Sequence, residues 1–111
     1  MEQAFVESIK LEAVRRIVQD SQPDRILLFG SYARGDAGSD SDLDLLVVYN
    51  ELPRSEKRSR AQHLYRLLWD LELPTDIIIA NGEDVDSRNQ IAGHIYQPAL
   101  SEGVAIYERP D

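Results

Sequence analysis

Three aspartates and one Gly-Ser pair are the residues of this 111-residue chain whose types and spacing could do chemistry. Gly30-Ser31 closes an apolar run, residues 32–41 follow, and Asp42-Leu43-Asp44 leads into a second apolar run. Asp76 opens a third, Asp76-Ile77-Ile78-Ile79-Ala80. Three carboxylates held close in a partly desolvated site repel one another, and a divalent cation is the usual resolution. Hard oxygen donors with no Cys or His beside them suit Mg²⁺ or Mn²⁺ and argue against zinc. Mg²⁺ takes a couple of carboxylates and leaves its other positions to water and substrate phosphates. Two such ions about 4 Å apart hold the attacking and the leaving oxygens of an in-line displacement. At the other end, Gly30 lets a ligand approach the backbone, and Ser31 with the amides after it can bind phosphate. Arg34 is placed either to pair with a phosphate or to brace Asp36. The arrangement favours attack by an acceptor hydroxyl on the α-phosphorus of a triphosphate, with pyrophosphate leaving and Asp76 assisting deprotonation of the acceptor.

Those residues must be brought together by the elements that carry them. Apolar residues at Val6, Ile9, Ala13 and Ile17, flanked by Val14 and Val18, predict a helix over 4–20 with one core-facing stripe. Asp20, Ser21 and Pro23 stop it. Arg25–Phe29 is short and apolar, bounded by a Pro turn and Gly30, and reads as a buried strand. Residues 32–34 could form one helical turn, and 35–41 are loop by composition. Leu43–Tyr49 is the next strand. Pro53 suits a first helical turn, and the helix it opens should run to Leu71 with Ala61, Leu64, Leu68 and Leu71 buried. Tyr65 and Trp69 lie four apart on a neighbouring stripe and serve either core packing or a docking face. Thr75–Ala80 is a third strand and Asn81-Gly82 a turn. Weaker helices follow over 84–95 and 97–101, and Val104–Tyr107 is a short edge strand. Helix and strand patterns alternate, so the class is α/β.

Asp42 and Asp44 are two apart on a strand and point to one side. The helix after that strand is long enough for a crossover, which makes strands two and three parallel neighbours. Their starts then lie at the same end, and Asp76 stands beside Asp42 and Asp44. Ser31 follows the far end of strand one, so it reaches the same site only if strand one runs antiparallel to strand two. The site thus predicts a mixed sheet.

Other readings of these residues are weaker. Gly-Ser and Asp-x-Asp occur by chance in loops, but their joint order and strand placement is specific. Asp40, Asp42, Asp44 and Glu51 copy the spacing of a calcium loop, yet Leu45 stands where that loop needs Gly. No Gly-Lys-Ser/Thr follows the glycines, which excludes a P-loop.

The length predicts one domain spanning residues 1–111. With no cysteine there is neither a disulfide framework nor a thiolate metal site. The N-terminus has no uninterrupted apolar core of a secretory signal, and no apolar run approaches the length that spans a bilayer; a cytoplasmic location and no membrane contact are the expectation. The formal net charge of -8 repels polyphosphate backbones, so no direct nucleic-acid binding is expected. Basic residues do cluster at Arg54, Lys57, Arg58, Arg60 and Arg66, as a solvated helix face or as a strip for an acidic partner. His63 should face solvent and His94 be structural or surface. Residues 84–90 could touch a base or a partner.

Gly30-Ser31, residues 32–41 and Asp42-x-Asp44 together resemble the signature of the DNA polymerase beta-type nucleotidyltransferase superfamily. The size is similar to that of its minimal nucleotidyltransferase branch, the MntA-like antitoxins. The resemblance runs from the first helix to Ala80, with the closing EGVAIYE also similar. It implies a small mixed sheet with flanking helices, the polymerase beta-like palm. Asp42 and Asp44 would ligate two Mg²⁺ ions, Asp76 would complete the site, and Gly30 and Ser31 would hold the triphosphate of ATP. It further implies an antitoxin paired in a hetero-oligomer with a HEPN-domain toxin, to which AMP is transferred on a tyrosine. The competing expectations are an antitoxin that masks its toxin by contact alone, and nucleotidyl transfer to a small molecule.

Overall fold

The computed structural model describes residues 3–38, 40–85 and 103–110. Four strands form one sheet, in the order β3-β2-β1-β4. They are β1 (Arg25–Phe29), β2 (Leu43–Tyr49), β3 (Thr75–Asn81) and β4 (Val104–Glu108). β1 runs antiparallel to both β2 and β4, while β2 and β3 are parallel. The sheet is therefore mixed, as the position of Ser31 requires. The predicted helices at 84–95 and 97–101 lie outside the described residues, apart from a short α4 (Gly82–Val85) that starts two residues earlier than expected.

Strand periodicity divides the sheet into two apolar faces. Ile26, Leu28, Leu43, Leu45, Val47, Ile77 and Ile79 face α1 (Gln3–Ser21) and α3 (Lys57–Leu67), forming the main core with Ile9, Ala13, Ile17 and Leu64. Leu27, Leu46, Val48 and Ala80 gather on the other face with Phe29 and Ile78. α1 follows the predicted stripe and ends where Gln22 takes a left-handed conformation ahead of Pro23.

α3 is preceded by a 3-10 turn, Arg54–Glu56, that Pro53 introduces with φ -61 and ψ 143. The helix ends at Leu67 and not at Leu71 as its apolar spacing suggests. Arg16 of α1 caps that end, donating to the carbonyl of Leu67 (3.2 Å) and to Asp70 (2.6 Å). That satisfies a helix-end carbonyl from outside and lets the chain turn toward Pro74. Leu68 still packs in the core and Leu71 against its edge.

The cluster of basic residues is not one uniform strip. Lys57 pairs with Asp84, which is 3% exposed and also accepts from the Asn81 amide at 2.9 Å. Arg60 lies over the ring of Tyr49, 4.9 Å from its centroid. Arg54, Arg58 and Arg66 are exposed. Asp84, the first residue of the stretch 84–90 that could touch a base or a partner, is a buried anchor of the turn after β3; residues 86–90 lie outside the described residues. His63 is exposed, with Nε2 2.8 Å from Asp20; His94 lies outside the described residues. No helix among the described residues is long and apolar enough to cross a membrane.

Candidate active site

Phe29, Asp44 and Asp76 form one row across three strands: Phe29 pairs with Asp44 in the antiparallel ladder, and Asp44 with Asp76 in the parallel one. Paired strands lie about 4.8 Å apart. The two carboxylates therefore start from neighbouring backbone positions and project from the face opposite α1 and α3. Asp42 precedes β2 by one residue. Leu43 is tied there by its amide to the carbonyl of Pro74 (2.8 Å), which extends the β2–β3 ladder past its end. Asp42 is exposed, Asp44 half-buried and Asp76 exposed.

β1 ends on this row and turns at once into α2 (Gly30–Arg34). Gly30 has φ +73, the left-handed region that side chains rarely adopt. A Cβ placed there would overlap the carboxylate of Asp44. Two constraints thus meet at one position, and glycine satisfies both. α2 closes on Gly35, also left-handed, whose amide bonds the Ser31 carbonyl at 2.9 Å. Ser31 follows Gly30 directly on this turn and is half-buried.

The electrostatics match the crowding. The carboxyl of Asp44 is pushed above the usual range, first by burial and then by the charges of Asp76 and Asp42; Arg34 opposes this. Arg34 donates to Asp36 at 3.2 Å, the bracing role, while its charge also reaches Asp44. Tyr65 comes to the site from α3. Its hydroxyl lies 3.1 Å from Asp76 Oδ1 and accepts the Ile77 amide at 2.8 Å. Burial first, with Asp76 adding to it, raises the phenol above its ordinary value, so it stays protonated and can donate. The four-residue spacing of Tyr65 and Trp69 does not mark two core residues: Tyr65 is half-exposed and Trp69 is 86% exposed.

These residues fit a hard divalent cation by charge and donor type. Negative charge is concentrated on Asp42, Asp44 and Asp76, and the ionised form of Asp44 is disfavoured until positive charge arrives. Among the described residues, however, no three acidic or histidine side chains converge into a ready cage. The acids sense one another without closing, which suits an ion that draws most of its ligands from water and phosphate. A cavity of ≈ 340 Å³, lined by Lys10, Tyr32 and Gly35 among others, lies on the α1 side and includes none of the three acids.

A family profile for the nucleotidyltransferase domain matches residues 10–96. The chain belongs to that family. A protein from Methanocaldococcus jannaschii named for protein adenylyltransferase activity is 39% identical over 57 residues, 51% of this chain and 54% of that protein. The chain thus spans about half the length of that relative. Among solved structures, a nucleotidyltransferase from Sulfolobus solfataricus superposes with a TM-score of 0.67 at 18% identity, covering 98% of this chain and 91% of that one. A toxin–antitoxin structure with AMP-PNP superposes at 0.54 with 22% identity, covering 87% of this chain and 72% of that chain. These two likenesses establish a shared nucleotidyltransferase fold.

Proposed function

We propose that this nucleotidyltransferase-family chain transfers AMP from ATP to a hydroxyl of a protein partner, with Mg²⁺ as cofactor, and that the acceptor is a tyrosine of a HEPN-domain toxin. The observation that carries the reading is the row Asp44–Asp76, with Asp42 beside it and the backbone of Gly30 against Asp44. The adenylyltransferase relative and the toxin–antitoxin structure with a bound ATP analogue support the donor and the partner class. Asp42, Asp44 and Asp76 would hold Mg²⁺, which when bound neutralises charge on the triphosphate and on the leaving pyrophosphate. Ser31 and the backbone at Gly30 orient the triphosphate. Asp76, at the open side of the row, accepts the proton of the acceptor hydroxyl. The acceptor oxygen bonds the α-phosphorus, the bond to the bridging oxygen breaks, and pyrophosphate departs.

The competing reading is an antitoxin that masks its toxin by contact alone. Label transfer separates the two. Protein, Mg²⁺ and ATP labelled at the α-phosphate are incubated with a HEPN-domain toxin, for the natural sequence and for Asp42→Ala/Asp44→Ala. A labelled partner band with the natural sequence alone supports AMP transfer. Tight partner binding by both forms with no label on the partner supports masking.

A further inference from the structure

We propose that Tyr65 is a positioning residue for Asp76, holding its carboxylate through a hydroxyl that the backbone of β3 has itself fixed. This rests on the reading of Asp76 as a member of the metal and acceptor site. β3 ends the order of the described strands, so backbone groups on its outer edge need partners from elsewhere. Tyr65 supplies one: its oxygen accepts the Ile77 amide at 2.8 Å. A tyrosine hydroxyl has a single proton to give. Two acceptors lie within reach, Asp76 Oδ1 at 3.1 Å and the Ile77 carbonyl at 3.4 Å. The nearer is also the charged one, and charge-assisted bonds are the stronger. The proton therefore goes to Asp76.

The consequence is geometric. An exposed aspartate at a strand start samples several carboxylate orientations, and fixing one oxygen leaves the other to the site. Among the described residues Tyr65 is the side chain that hydrogen-bonds Asp76. It does so from α3, whose Leu64 is locked in the core one position earlier. A core helix and a strand edge thus both set the direction of one acid. Partners of this kind typically change metal affinity or activity about 10–100-fold when removed.

The test is a double-mutant cycle with Tyr65→Phe, Asp76→Asn and the pair, read by Mn²⁺ affinity from the free-ion paramagnetic resonance signal. Thermal midpoints are recorded alongside. Tyr65→Phe should weaken Mn²⁺ binding about 10-fold or more, and should add nothing in the Asp76→Asn background. Unchanged Mn²⁺ affinity with only a lowered midpoint would reduce Tyr65 to a tie between α3 and the strand edge, and overturn the proposal. So would losses that multiply in the double variant. Natural-sequence protein that binds Mn²⁺ yet labels no partner would sink the transferase reading alone, because the Mn²⁺ cycle still decides the role of Tyr65.

Discussion

The α-carbon of Gly30 lies against the carboxylate of Asp44, so that a methyl group on Gly30 would occupy the space of Asp44 Oδ2. The end of one strand is thereby shaped to the acid on the next. Gly35 provides an internal control, since it is also left-handed (φ +85) but has open space where a Cβ would go. Gly35→Ala should cost about 1–2 kcal/mol from backbone strain alone. Gly30→Ala should cost more, because Asp44 must also move. Urea unfolding of the two variants measures the difference, and equal costs would mean that Asp44 does not depend on the bare α-carbon.

Asp44 should weaken the fold it sits in. Its folded carboxyl binds a proton more readily than the unfolded one, because burial and the charges of Asp76 and Asp42 disfavour ionisation. Stability from such a group is fully present below the ordinary carboxylate range, around pH 4, and is lost as pH rises through the raised value. Asp44→Asn cannot ionise. With divalent ions chelated, the variant should melt higher than the natural sequence at pH 7, and its advantage should shrink as pH falls toward 4. A variant that melts lower at pH 7 would contradict this origin of the shift.

Much of this was legible from residue order, for identifiable reasons. β1 and β2 were bounded correctly because short apolar runs with Gly or polar loops at both ends have few alternatives. The mixed sheet followed from the need to bring Gly30-Ser31 and the acids to one end, and the register places Phe29, Asp44 and Asp76 in one row. The end of α3 was not legible, because the group that caps it, Arg16, is distant in sequence. The contact that Tyr65 makes with β3 was not legible either. Its helical spacing marks a neighbouring stripe, but its function comes from an oxygen reaching a strand edge on the next element. The burial of Asp84 was not legible either, because its partner Lys57 is likewise remote in the chain.

α3 offers a stability contrast at short separation. Leu64 is 0% exposed in the main core, whereas Trp69, just past the helix, is 86% exposed. Leu64→Ala should cost about 2–5 kcal/mol through lost burial and the cavity left behind. Trp69→Ala should stay within about 0.5 kcal/mol. Denaturant midpoints measure both. A large loss at Trp69 would show that its indole is covered in the folded protein.

Metal and nucleotide should stabilise the protein whether or not an acceptor is present, and this separates a working site from a masking surface. A ligand that binds only the folded state adds stability by mass action, about 2.7 kcal/mol at a hundredfold excess over its Kd. Mn²⁺ should raise the melting temperature by relieving the repulsion that Asp42 and Asp76 exert on Asp44. A non-hydrolysable ATP analogue should raise it further only when the ion is present, because the triphosphate and the acids are both negative and repel one another without a cation. Asp42→Ala/Asp44→Ala should abolish both increments while keeping the fold, since Asp42 is exposed and Asp44 half-buried. Differential scanning calorimetry with chelator, Mn²⁺, and Mn²⁺ plus analogue measures all three states. Increments that persist in the double variant would place the ion away from these acids and remove the basis for transfer at this site.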